Sequence, residues 1–346
     1  MTNKIDIAIA GATGNVGREI LQILEQREFP INNIYCLASS RSKGKKIKFK
    51  GQEIEVEDLA EFDFSKVQLS LFSPGGSISA KYAPKATKEG CIVIDNTSHF
   101  RMNDDVPLVV PEVNSDVLQD FFNNNSRSNI IANPNCSTIQ MVMALKPLHD
   151  EAIINRVVVS TYQSVSGAGK AAMDELFEQT KNIYANKNVE KKEFTKQIAF
   201  NAIPHIQSFL KNGNTQEEQN MIDETKKILD PNIQVSATCV RVPVFISHAE
   251  SVNLELDSPL SNEKAKEVLS NFTGISVVDY PEDEGYVTPV EAAGTDKVYV
   301  SRIRKDETIE NGLNLWIVSD NLRKGAALNA VQIAELIIKK HSNCFH

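Results

Sequence analysis

IDIAIAGATGNVGREILQIL, residues 5–24, passes from an apolar run through three spaced glycines into a helical pattern. Ile5 to Ala10 is short and apolar enough for a buried strand, and Ile20, Leu21, Ile23 and Leu24 recur at helical spacing. Strand, glycine turn and helix make a parallel β-α unit, whose helix N-terminus can hold a phosphate. The spacing is GxxGxxG rather than GxGxxG, and a tight turn without a ligand has the same glycines. Context decides for a dinucleotide cradle built on Gly11, Thr13, Gly14, Asn15 and Val16. The unit opens the chain, and VQLSLFSPGGSISAKYAPKATKEG and CIVIDNTSHF continue the alternation of strand and helix.

The second strand, NIYCLAS, points to NADP rather than NAD. An NAD site ends this strand in an acid that binds the adenosine ribose. Here Ser39, Ser40, Arg41 and Ser42 follow, then Lys43, Lys45 and Lys46, and the first acid is Glu53. A serine-arginine loop suits a ribose phosphate through charge-assisted hydrogen bonds. A solvated basic turn is the alternative, above all for the lysines.

At 346 residues, two domains are the default expectation. With 41% hydrophobic and 24% charged residues, the composition is that of an ordinary soluble protein. A net charge of -8 argues against nucleic acid or an anionic membrane as partner. No stretch approaches the roughly 20 apolar residues of a membrane span, and the first residues run into a strand with no room for a signal peptide. The five cysteines show no metal-type spacing, so no metal is expected, and reduced thiols in the cytoplasm are the economical reading.

Cys136 stands apart from the others. In IIANPNCSTIQMVMALKPL (130–148) it sits between an apolar strand and a helical pattern, preceded by Asn135 and followed by Ser137 and Thr138. The positive end of a helix dipole favours the thiolate, a competent nucleophile. Cys36, Cys91, Cys239 and Cys344 read as structural. FNNNSRSN (122–129) reads as a surface loop. Gln163 closes a β-branched strand before a Ser-Gly-Ala-Gly turn. Arg241 and His248 flank a strand-turn that Pro243 makes irregular. Arginine suits a carboxylate, and histidine passes protons near neutral pH. A surface ion pair and a satisfied histidine would explain that segment equally well in isolation.

Together the segments GATGNVG, DNTSHFRM, VPLVVPEVN, NPNCST, TYQSVSGAG, RVPVFISHAE and DNLRKGAALNAVQIAE span nearly the whole chain. In this order they resemble the aspartate-semialdehyde dehydrogenase family. The resemblance implies an α/β fold: an N-terminal Rossmann-type NADP-binding domain (1–135 plus 325–346) with an α+β catalytic and dimerisation domain (136–324) inserted before the C-terminal helix. It implies Cys136 as nucleophile and His248 as acid-base. Gln163 and Asn135 would place the substrate, Arg241 would bind its carboxylate, and Glu217 its amino group. Arg101 would bind phosphate. Ser73 and Gly75, then Ser166, Gly167 and Asn321, would add to the cofactor site. The implied reaction is NADPH-dependent reductive dephosphorylation of L-aspartyl 4-phosphate through a thioester. Its product feeds lysine (through diaminopimelate), threonine and methionine synthesis, and family members assemble as homodimers or dimers of dimers.

One position departs from the family. Many members carry Glu-x-x-Lys, with the lysine at the phosphate, where this chain has Glu217 and Asn220. Lys227, seven residues on, lies on nearly the same face about 10 Å further along. Two other readings stand beside this one. N-acetyl-γ-glutamyl-phosphate reductase shares the chemistry, but its acylated nitrogen gives Glu217 no purpose. A non-catalytic paralogue should have lost Cys136 or His248, and both are present.

Overall fold

The computed structural model describes residues 4–123 and 128–340. The chain divides into two compact units, Met1–Asn135 with Ala326–His346, and Cys136–Gly325. Gly325, read from sequence as the head of the returning segment, falls in the second unit. There its Cα packs on Cys136, and a β-carbon at 325 would stand 3.0 Å from the cysteine Cβ.

The first unit holds β1 (Ile5–Ala10), β2 (Ile31–Ala38), β3 (Lys46–Phe49), β4 (Gln52–Asp58), β5 (Leu69–Phe72), β6 (Ile92–Asp95) and β7 (Ile130–Ala132). They form one sheet in the order β3-β4-β2-β1-β5-β6-β7, parallel except for β3 against β4. Its helices are α1 (Asn15–Gln26), α2 (Gly76–Lys88), the short α3 (Pro111–Asn114) and α4 (Val117–Asn123). Phe122 and Asn123 therefore end a helix rather than begin a loop, because Leu118 and Phe121 give α4 a buried face. Residues 124–127 of that expected loop lie outside the described residues, as does Cys344.

Order reverses between β2 and β5 on either side of β1, the switch point where doubly wound sheets bind ligands. The glycine turn sits at the carboxyl end of β1, as the sequence predicts. Gly11 has φ +87, and a β-carbon there would lie 2.8 Å from the Ser73 backbone. The apolar face of α1 (Ile20, Leu21, Ile23, Leu24) meets Ile7 and Ile9 of β1 in a core that also takes Val331, Ile333 and Ile337. Those last three belong to the C-terminal helix, Leu328–Lys340, so the end of the chain completes the core begun by its first strand.

The second unit is built on a mixed sheet. Its strands are β8 (Ile154–Gln163), β9 (Gln234–Arg241), β10 (His248–Leu256), β11 (Ile275–Val277), β12 (Val298–Asp306) and β13 (Gly312–Ser319), in the order β11-β12-β13-β10-β8-β9. The β11/β12 and β8/β9 pairs are parallel and the others antiparallel. Five helices accompany it: α5 (Cys136–Glu151), α6 (Lys170–Tyr184), α7 (Gln216–Ile228), α8 (Asn262–Asn271) and α9 (Pro289–Ala292). Buried along most of its length, α5 packs on β8, β10 and β13. No helix among the described residues is long and apolar enough to cross a membrane.

The glycine turn gives a stability test with its own control. A β-carbon at Gly17 would lie 2.3 Å from the Gly11 carbonyl oxygen, whereas one at Gly14 stays at an ordinary 3.4 Å. Gly17→Ala is expected to destabilise the protein by about 1–3 kcal/mol through overpacking against backbone. Gly14→Ala should cost much less, its φ of -79° being open to any residue. Denaturant midpoints of the two variants make the comparison, and equal losses would contradict it.

Candidate active site

Three neighbouring strands bring the polar residues of the second unit into one row. Gln163 ends β8 and pairs in register with Arg241, the last residue of the parallel β9. On its other side Gln163 pairs with His248, the first residue of the antiparallel β10. Directly opposed residues project from the same face of a sheet. Arg241, Gln163 and His248 therefore line one end of that face side by side.

Each of the three is held. The Gln163 side-chain oxygen Oε1 accepts from the Thr161 hydroxyl (2.9 Å), and its side-chain amide donates to Glu217 (2.9 Å). A second amide, from Gln207, reaches the other Glu217 oxygen at 2.7 Å. Arg241 is buried and donates from Nη1 to the Ser164 carbonyl at 2.7 Å. Burial lowers its pKa, while Glu217, Cys136 and Cys239 support its charge. Gly167 closes the gap: a β-carbon there would come within 3.1 Å of Arg241 Nη1 and 3.3 Å of His248 Nε2.

The histidine is set by partners that sequence reading missed. The Ser164 backbone N–H donates to His248 Nδ1 at 3.0 Å, and the Ser164 hydroxyl lies 3.1 Å from the same atom. With Nδ1 accepting, the neutral ring carries its proton on Nε2, which has no hydrogen-bond partner. Complete burial, then the Arg241 charge, push the pKa down to about 3. At neutral pH the ring is thus an Nε2–H donor. A carboxylate on Arg241 would offset the second of those causes. Ser247, just before it, adopts φ 76, and Asn321 Oδ1 accepts its N–H at 2.9 Å. The same oxygen accepts from the hydroxyls of Ser164 (3.2 Å) and Ser166 (3.0 Å). Asn321 therefore orders the turn that presents His248. The only sequence sign of this network is the serine spacing of QSVSG.

Cys136 is the first residue of α5, in the orientation that favours a thiolate. It is half-buried, while Cys36, Cys91 and Cys239 are buried. Burial pushes the Cys36 and Cys91 thiols up to about 12 and raises Cys239 as well, which keeps all three protonated. Gly325, unmarked in the sequence, packs on the cysteine Cβ.

The two glutamates of TQEEQN separate cleanly. Glu218 completes a capping box with Thr215 and accepts from the Cys239 N–H, so it holds α7 to β9. Glu217 is left to face Gln163 and Gln207. Asn220 accepts from Gln216 through Oδ1, and its buried Nδ2 has no partner.

In the first unit, the Arg101 guanidinium donates to the backbone carbonyls of Asn133 (3.0 Å) and Asn96 (2.8 Å). Asn135 is buried nearby in sequence, two residues past that carbonyl. At the end of β2, Ser39 precedes a single turn over Ser40–Ser42. Lys43 pairs with Glu61 and Lys46 with Glu53, whereas the exposed Arg41 guanidinium makes no such pair among the described residues. Ser73 hydrogen-bonds Ala10, and Gly75, at φ +98, precedes α2. Thr13, Asn15 and Val16 lie on the glycine turn and the first turn of α1.

The chain has close relatives among known proteins. Residues 6–121 match the semialdehyde dehydrogenase NAD binding domain, and residues 145–324 the semialdehyde dehydrogenase dimerisation domain. Aspartate-semialdehyde dehydrogenase from Aquifex aeolicus is 54% identical over 96% of this chain and 98% of its own. The Rickettsia bellii enzyme of that name is 50% identical over 99% and 100%. Among solved structures, aspartate semialdehyde dehydrogenase II from Vibrio cholerae, complexed with ASA, superposes with a TM-score of 0.94 at 50% identity, covering 98% of this chain and 99% of that one. The Candida albicans enzyme, solved with NADP, gives 0.76 at 25% identity, covering 99% and 100%. By sequence and by fold, the chain belongs to the aspartate-semialdehyde dehydrogenase family.

Proposed function

We propose that the protein reduces L-aspartyl 4-phosphate to L-aspartate 4-semialdehyde with NADPH, releasing phosphate, through a thioester on Cys136. The observation that carries this reading is the register that sets Arg241, Gln163 and His248 side by side, with Glu217 against the glutamine. A buried cation and a buried anion on either side of one glutamine suit a substrate bearing both a carboxylate and an ammonium group. That pairing also speaks against an N-acetylated substrate, whose amide nitrogen has no charge for Glu217 to meet.

The Cys136 thiolate attacks the acyl phosphate carbonyl, and the phosphate leaves as the thioester forms. His248 Nε2–H donates to the acyl oxygen as charge builds on it. NADPH, when bound, supplies the hydride that the thioester requires. Collapse then returns the electrons to sulfur, and Cys136 leaves as the thiolate. The glycine turn fits such a cofactor, since its backbone approach at Gly11 leaves no room for a side chain. Arg41, which pairs with no acid among the described residues, would supply charge for a ribose phosphate, which favours NADP. Arg101 and Asn135 would serve phosphate and substrate. The family's place in lysine, threonine and methionine synthesis, its homodimers or dimers of dimers and a cytoplasmic setting complete the proposal.

Cys136→Ser should abolish turnover with fold and NADP binding retained, because a hydroxyl is far less ionised than a thiol at neutral pH. Phosphate-dependent NADP reduction by aspartate semialdehyde measures it, run beside the N-acetylglutamate analogue. Activity above a small fraction of the parent's would sink the thioester route.

Arg41→Ala should weaken NADP binding about ten- to a hundredfold, the value of about 1.5–3 kcal/mol for a charged hydrogen bond. NAD binding should hardly change. Titrating both cofactors checks this, and equal losses would place the phosphate contact elsewhere.

Asn220→Lys should lower the KM for phosphate, with less effect on the semialdehyde, by restoring the charge many relatives carry. An unchanged phosphate KM beside a sharp rise in Lys227→Ala would mean the charge has moved along α7. No effect of either would remove α7 from the phosphate site.

A further inference from the structure

Glu250 lies two residues beyond His248 on β10, so both side chains leave the same face of the sheet. It is fully buried, and neither carboxylate oxygen has a hydrogen-bond partner. Thr161 of β8 and Ile317 of β13 stand directly opposite, and the Thr161 hydroxyl is already committed to Gln163. The helix packed on this face is α5, and Gln140 follows Cys136 on it by four residues, one turn along the same side. Gln140 is buried too. Its amide donates to the His248 backbone carbonyl at 3.4 Å, and its Oε1 has no partner. An ionised Glu250 offers only acceptors, as does Gln140 Oε1. A proton on the carboxyl turns these groups into a donor and an acceptor that satisfy each other.

We propose that Glu250 and Gln140 form a buried link between the nucleophile's helix and the histidine's strand, and that this link sets His248 against Cys136. It rests on the reading of Cys136 and His248 as the reacting pair. Glu250 touches no substrate; it is a positioning residue and works as a neutral acid. Burial raises its carboxyl well above the ordinary carboxylate range. Ionisable side chains that share this face are His248 on its own strand and Arg241 and Cys239 on β9; Glu217 of α7 meets Gln163 there, Glu218 accepts from the Cys239 N–H, and Cys136 heads the covering helix α5.

Four variants of the full-length protein test the link: E250Q, E250M, Q140M/E250M and C136S. Each is assayed with aspartate semialdehyde, NADP and phosphate. For the three that keep Cys136, rates are expressed per Cys136 thiol counted by iodoacetamide labelling and peptide mass. E250Q should keep at least about half of the parental kcat, since a carboxamide replaces a neutral acid atom for atom. E250M should lose about tenfold or more in kcat with both KM values within about twofold, as expected for misplaced reacting groups. Should E250M fail to fold, Q140M/E250M carries the same expectation, because it removes Gln140 Oε1 together with the carboxyl that would donate to it. A loss in E250Q as large as in E250M overturns the proposal, and so does parental kcat in E250M or in the double variant. Stability adds a readout of charge. The folded protein keeps this proton while the unfolded chain releases it above about pH 4.5, so parental stability falls relative to E250Q as pH rises. The E250Q thermal midpoint should therefore pull ahead of the parent's as pH rises above about 4.5; a constant gap overturns the neutral acid. Turnover in C136S would defeat the thioester reading itself. An inactive C136S beside a parental E250M defeats the link alone.

Discussion

The backbone pairing of β8 with β9 on one side and β10 on the other is the constraint on which the site depends. It places Arg241, Gln163 and His248 at one level of one face. A slip of one residue in either pair would send a side chain to the opposite face of the sheet. Register is fixed in turn by burial: Val157, Val159, Val252 and Leu254 are fully enclosed, and a slipped strand would expose them. The apolar residues in the body of the strands thus set the geometry of the polar residues at their ends.

Charge is distributed within that frame with little to spare. Arg241 and Glu217 are both buried, and the glutamate supports the arginine's charge. Burying ions is costly unless partners and hydrogen bonds compensate, and here both are supplied, through Ser164, Gln163 and Gln207. Burial first and then the same arginine lower the His248 pKa, so one cation both suits a carboxylate and adds to what keeps the histidine neutral.

What the sequence made legible was local or rested on the family resemblance. The glycine turn, the helix start at Cys136 and the short strands can be read from spacing, because they follow from nearby residues. Register could not be read, since Gln163 meets Arg241 across 78 positions and His248 across 85 (241 − 163 and 248 − 163). The roles of Glu217 and Glu218 also needed the fold: adjacent acids look alike until Thr215 and Cys239 claim one of them. Ser164, Gly325 and Glu250 escaped notice for a related reason. A serine, a glycine and a strand glutamate carry no signal until tertiary contacts surround them. The histidine's tautomer is likewise set by a backbone N–H, which has no signature in the sequence.

The C-terminal helix has a consequence for how the protein is made. It supplies Leu328, Val331, Ile333, Ala334 and Ile337 to the core that the first strand begins. A ribosome delivers the chain at about 5–20 residues per second, so roughly a quarter of a minute or more passes between the two. For the part of that interval after β7 (Ile130–Ala132) is made, the first sheet has all its strands but lacks the helix that completes its core. The intervening unit is completed almost as late, because β13 (Gly312–Ser319) joins β12 to β10 in the middle of its sheet. The first unit therefore carries an incomplete apolar core while the whole second unit is made, which leaves that core open to chaperones and to premature association.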